Sequence, residues 1–260
     1  MKNLSIGKPI GLHRLCCAVE RICQKAEVYR RSKPPHMLVE LDRGCGRTTA
    51  IQYVADMYKE YNVLPFKCIL DNYIEVELNG RSTQNIKDSF AMFAPGYDNG
   101  FANIAGIGIT DMARYMNAPQ FGDFLSLTEE LCSSASVIFF VSSIPSRQEE
   151  QLIDRLYERI GKNRIERIRY EEMCQEDICQ LIEHAIGEYG IVIEHSQYFH
   201  SELLQIVDIL DIQAVKEALL FAERLLHYAD FSRFTPVVDE KCLSVMIAEQ
   251  QTNEWRDTYA

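Results

Sequence analysis

Apolar residues recur at Leu12, Leu15, Cys16, Val19, Ile22, Cys23 and Ala26, a three-and-four spacing that puts them on one side of a helix over residues 12–31. Pro34 and Pro35 end that helix, because proline has no amide donor and pushes its predecessor out of the helical region. A short apolar run, Met37 to Leu41, leads into the turn Asp42-Arg43-Gly44-Cys45-Gly46-Arg47. Residues 48–61 then predict a helix with Ile51, Val54, Ala55 and Tyr58 on one side. Residues 66–70 and 73–78 look like strands, 82–94 like an amphipathic helix through Ile86, Phe90 and Phe93, and 101–110 form an apolar run carrying glycine. A helix over 121–133 precedes the clearest buried strand, 136–143, which is continuous, β-branched and aromatic. Residues 147–159 predict a helix and 164–170 a last short strand in which Ile165 and Ile168 are the apolar positions.

Strands alternating with helices through residues 1–170 imply a parallel sheet covered by helices on both faces, a three-layer α/β domain. Beyond Tyr170 the pattern is helical at 174–188, 196–210, 212–229 and 239–250, with no convincing strand, so residues 171–260 predict a smaller all-helical domain. Internal repeats and low-complexity tracts are absent.

Composition narrows the function classes. Among 260 residues, 27 Lys+Arg stand against 38 Asp+Glu, a formal charge of −11, which argues against a surface for duplex nucleic acid because such surfaces neutralise phosphates with clustered cations. No run approaches the ~18 to 20 apolar residues of a membrane span, and the start, Met1 to Pro9, lacks the apolar centre of a signal peptide. A soluble, cytosolic chain is expected. Its nine cysteines contain no C-x-x-C pair and sit mostly among apolar neighbours, so they read as small, reduced hydrophobes. His184, His195 and His200 do not share one helical face and lack the further ligand of a zinc pattern. Trp255 and Tyr259 are apolar groups in an otherwise polar tail.

The turn after Met37 to Leu41 is where chemistry is expected. A strand, a glycine loop and a helix together can wrap a phosphate: glycines let backbone amides turn inward, the helix start carries partial positive charge, and the Thr48 hydroxyl can reach a magnesium ion. An ordinary strand-to-helix turn also uses two glycines, so the loop alone leaves both readings open. Cys45, in that turn and before a helix, stands where a thiolate can be stabilised.

The order of motifs over about residues 7–230 resembles the AAA+ ATPases, P-loop proteins with a helical lid. Residues 41–48 fall on the family's Walker A loop, and the segment Tyr73 to Phe90, with Gly80-Arg81-Ser82-Thr83-Gln84-Asn85-Ile86, looks like its second strand, substrate loop and following helix. Ile107-Gly108-Ile109-Thr110-Asp111-Met112-Ala113 falls on Walker B, Ser142 or Ser143 on the sensor-1 position, and Asp211 to Val215 on the start of the sensor-2 helix. The resemblance implies ATP or ADP held with Mg2+ by Asp42, Arg43, Gly44, Cys45, Gly46, Arg47, Thr48 and Thr49, with Ser142 and Gln213 near the γ-phosphate. It implies Thr48 and Asp111 as metal partners, and Arg155 and Arg159 as candidates for an arginine finger reaching a neighbouring subunit, the plainer reading being surface arginines near Asp154 and Glu158.

The residues that do chemistry depart from the family pattern. The first Walker A glycine is Leu41 and its lysine is Arg47, which keeps the charge but is larger and planar. Asp42 adds a negative charge to the loop, the general base is Met112, and the sensor-2 arginine is Gln213. The aromatic pair that many unfoldases carry in the substrate loop is missing from Leu78-Asn79-Gly80-Arg81. The resemblance therefore implies a degenerate AAA+ protein that binds ATP or ADP with weak or no hydrolysis and works through conformation and assembly, as a homo-oligomer or with an AAA+ partner. Two rival readings stand beside it: an active ATPase remodelling a protein partner, and a nucleotide-free scaffold.

Overall fold

The computed structural model describes residues 7–28, 34–61, 63, 74–76, 104–108, 116, 121–134, 136–194 and 196–252. The chain divides into two compact units, Met1–Glu171 and Glu172–Ala260. The strand expected at 66–70 and the helix expected at 82–94 lie outside the described residues.

The first unit is built on a parallel sheet of β1 (His36–Glu40), β2 (Ile74–Val76), β3 (Ile104–Gly108), β4 (Ser136–Val141) and β5 (Ile165–Ile168), in the order β2-β3-β4-β1-β5. Alternation along the strands explains its layers. Met37 and Val39 of β1, with Ile138 and Phe140 of β4, face a cluster shared with α1 (His13–Val28) and α2 (Arg47–Glu60). Leu38, Val137, Phe139 and Val141 face the opposite way, into a cluster with α3 (Phe121–Ser134) and α4 (Arg147–Leu156). Both faces of β1 and β4 are therefore buried, which is why their sequences read as continuous apolar runs.

The helix expected over 147–159 is interrupted. It starts on a capping box in which Ser146 and Glu149 exchange hydrogen bonds, and its α-helical part stops at Leu156. One π turn, Tyr157–Gly161, and a short 3-10 turn, Lys162–Arg164, lead into β5. The wider turn delivers Ile160 to the cluster that also holds Leu156.

In the second unit, α5 (Gln175–Glu188), α6 (Ser196–Ile209), α7 (Val215–Leu226) and α8 (Glu240–Thr252) enclose Ile182, Ile186, Phe199, Leu203, Phe221, Leu225 and Leu243. The expectation of an all-helical domain needs correction. Val192–Ile193 (β6) and Val237–Val238 (β7) form a parallel two-stranded ladder, with Glu194 donating its N–H to the Val238 carbonyl at 2.9 Å. Strands of two residues carry no period that a sequence pattern can reveal, and only their long-range pairing defines them.

The His200 imidazole on α6 spans two carboxylates of α5, with Nδ1 2.6 Å from Glu183 Oε1 and Nε2 3.0 Å from Glu176 Oε2. Both nitrogens meet acceptors, so the charged ring fits best. The Glu183 hydrogen bond, opposed by partial burial and reinforced by Glu176, raises the His200 pKa above its ordinary value of 6.5. A raised folded-state pKa gives stability that is fully present below the unfolded value and lost as pH rises through the folded one. The melting-temperature advantage of wild type over His200→Gln is therefore expected to be largest just below pH 6.5 and to shrink above it. A gap constant across neutral pH would show that the clamp acts without its charge.

Candidate functional site

Leu41 extends the ladder by one residue past β1, donating its N–H to the Val141 carbonyl at 2.8 Å. The loops after β1 and β4 thus leave the same edge of the sheet side by side. The chain runs from β1 toward β2 at one edge and from β4 across to β5 at the other. The two neighbouring connections part to opposite faces of the sheet, α2 in one cluster and α4 in the other, and such a parting opens a crevice at the carboxyl ends of the strands, where ligands of open α/β sheets bind.

The loop from β1 turns on Gly44 and Gly46, at φ values of 86° and 90°, a left-handed region that residues with a Cβ rarely occupy. Cys45 N–H closes back on the Asp42 carbonyl at 3.2 Å. Helix α2 starts at once, with Gly46 as its N-cap, no side-chain capping bond and no acidic residue in the first turn. Its positive end is thus left without a carboxylate of its own helix. Arg43, Gly44, Thr48 and Thr49 are exposed at the head of the loop.

Arg47 takes a different direction from the one that a phosphate-bridging lysine would need. It is only 8% exposed, its Nε donates to the Leu41 carbonyl at 2.9 Å, and its guanidinium carbon lies 5.5 Å from the centre of the Phe140 ring. In this arrangement the cation braces the base of the loop. The Asp42 carboxylate crosses to the loop after β4, where it accepts the Ser143 N–H at 3.1 Å and the Ser143 hydroxyl. The neighbouring Ser142 is engaged as well, its N–H and hydroxyl donating to Glu149 Oε1 at 3.2 and 2.7 Å. Burial alone would raise the Glu149 pKa, but hydrogen bonds from Ser146 and Ser142 hold it below the ordinary carboxylate range. Cys45 does not behave as an activated thiolate: burial, then the Asp42 charge, pushes its thiol up.

Sequence reasoning missed a set of residues beside this loop. Glu40, the last residue of β1, is buried and accepts Arg167 Nε at 2.8 Å and the Tyr170 N–H at 3.0 Å. Arg167 also forks onto Glu150, at 2.6 and 3.1 Å. A signal existed for Glu40, a lone charge in an apolar strand, and for Glu149, since Ser146-Arg147-Gln148-Glu149 spells a capping box.

The other expected residues are scattered. Arg155 stacks on Phe121 at 5.3 Å and Arg159 pairs with Glu129 at 3.6 Å rather than with Asp154 or Glu158. Gln213 lies just before α7, its amide donating to Asp211 Oδ1 at 2.7 Å, with Asp211 itself at a φ of 52°. Asp111 and Met112 lie outside the described residues, as do Trp255 and Tyr259. Among the described residues no group of His, Cys, Asp or Glu is arranged to hold a metal ion.

The solved structure of the Holliday junction branch migration motor RuvB of Thermotoga maritima matches 92% of this chain over 70% of its own, with a TM-score of 0.60 at 13% identity. The structure of a point mutant of that RuvB matches 93% over 71%, with a TM-score of 0.58 at 11% identity. PCH-2 of C. elegans matches 93% over 66%, with a TM-score of 0.54 at 10% identity. The chain has the AAA+ P-loop fold. At these identities the AAA+ fold is what the likeness shows, and the chemistry of the site has to be read from its own residues. No protein-family model and no curated protein matches the sequence. Within the AAA+ fold, Asp42–Thr49 occupies the loop between the first strand and its helix, and Ser142 and Ser143 follow the strand beside it. No helix among the described residues is long and apolar enough to cross a membrane.

Proposed function

We propose that the loop from Asp42 to Thr49 binds the phosphates of ATP or ADP with Mg2+, with little or no hydrolysis. In this reading the protein acts through nucleotide-linked conformation and through assembly with its own copies or with an AAA+ partner, in the cytosol where its cysteines stay reduced. The observation that carries it is the left-handed pair Gly44 and Gly46 leading into an uncapped helix start where the β1 and β4 connections part to opposite faces of the sheet. The fit to a nucleotide is partial. The loop backbone and the exposed Thr48 hydroxyl suit phosphate and magnesium, with Asp111 as the second metal partner, whereas Arg47 points away from the loop head. Met112 cannot accept a proton, so no general base stands at the Walker B end. Residues 171–260 serve as the lid domain in this reading, and its sensor-2 residue, Gln213, brings hydrogen bonds but no charge. Arg155 and Arg159 are held by local contacts, which favours a structural role over a finger.

A nucleotide-free scaffold is the second reading, favoured by the engagement of Asp42, Ser143, Ser142 and Arg47 with one another's elements. Thermal unfolding with and without nucleotide separates the two. At about 100 times Kd, binding stabilises the fold by about 2.7 kcal/mol. No shift at millimolar Mg-ATP and Mg-ADP would leave the scaffold. Phosphate release is expected at background and should rise in Met112→Glu if the rest of the site is intact. A wild-type turnover on the order of 1 s⁻¹, an ordinary enzyme rate, would overturn the non-hydrolysing reading.

A further inference from the structure

Four carboxylates close a ring around the carboxyl ends of β1, β4 and β5. Asp42 holds Ser143; Ser142 donates to Glu149, which caps α4 through Ser146; Glu150, the next residue, holds Arg167; and Arg167 holds Glu40, two residues before Asp42. Beneath the ring, Arg47 ties the helix start to the Leu41 carbonyl.

We propose that the Asp42–Ser143 tie locks the phosphate loop and that these two residues, more than the missing catalytic base, set the affinity and charge preference of the site. The inference rests on the nucleotide reading above and names what limits it. Anion binding needs donors, and both donors of Ser143 are taken by Asp42. Anion binding also needs positive potential, and here a carboxylate lies within the loop while the Arg47 cation is turned to a backbone carbonyl. A phosphate entering the loop meets the Asp42 charge and competes with it for Ser143. The conflict grows with ligand charge, so the site favours ADP over ATP.

Calorimetric titration of wild type, Ser143→Ala and Asp42→Asn with Mg-ADP and Mg-ATP, together with melting without nucleotide, tests the lock. Ser143→Ala keeps the charge and removes only the hydroxyl half of the tie, since the N–H of residue 143 can still donate to Asp42. It is expected to melt lower than wild type without binding either ligand more tightly, because a donor is lost and the Asp42 charge stays. Asp42→Asn removes the charge and weakens the hold on Ser143, so it should tighten Mg-ADP about tenfold, the scale of one charge-assisted hydrogen bond, and Mg-ATP more. Unchanged or weakened affinity in Asp42→Asn would overturn the lock while wild-type binding kept the nucleotide reading in place. Binding by Asp42→Asn alone would support the lock and remove nucleotide from the wild-type function. Absence of binding by wild type and by both variants, all folded by circular dichroism, would remove both.

Discussion

Phe140→Ala is expected to lower the unfolding free energy of the first unit by about 3–5 kcal/mol, the range for truncating a buried aromatic side chain. Phe140 is fully buried on β4, in the cluster shared with α1 and α2, and its ring lies under the Arg47 guanidinium. Truncation leaves a cavity and also takes away the aromatic face on which the cation rests. Phe140→Leu keeps most of the volume but loses the ring, so it should cost less than half as much while still loosening Arg47. Denaturant unfolding of both variants measures the two parts. A loss under about 1 kcal/mol in Phe140→Ala would mean that the site collapses around the deletion, or that β4 is less tightly enclosed than its burial indicates.

Arg167→Met should cost about 3 kcal/mol, because it strands Glu40, a buried carboxylate, without its cation. Arg167 meets Glu40 through Nε and Nη2 at 2.8 and 2.7 Å, while Glu150 is more exposed and contributes less. Removing both charges separates pair strength from desolvation: Arg167→Met with Glu40→Leu should recover most of the loss, since a buried ion pair is often no better than an apolar pair of like volume. Urea unfolding of the single and double variants checks this. A double variant as weak as the single one would show that Glu40 matters chiefly through the Tyr170 N–H that it accepts.

These effects could be read from the sequence only in part. The apolar run at 136–143 already required a strand covered on both faces, and Phe140 was inside it. That Phe140 rather than Phe139 lies beneath Arg47 follows from the pleat, which sends neighbours to opposite faces, together with the side on which α2 packs. The Glu40 and Arg167 pairing joins residues 127 positions apart, and nothing local in either strand names the partner.

Sequence by itself determined the alternation of helices and strands seen among the described residues, the parallel α/β class and the glycine turn at Asp42 to Arg47. Each of these is local, because periodicity, turn chemistry and residue identity act within a few positions along the chain. Tertiary structure decided the strand order β2-β3-β4-β1-β5, the short β6 and β7 pair, and above all the directions of the charged side chains at the loop. Asp42 meets Ser143 across 101 residues, and Arg47 turns to Leu41 because Phe140, arriving from β4, offers its ring there. A charge in a loop has several possible partners of similar worth, and only the packing of distant elements selects among them.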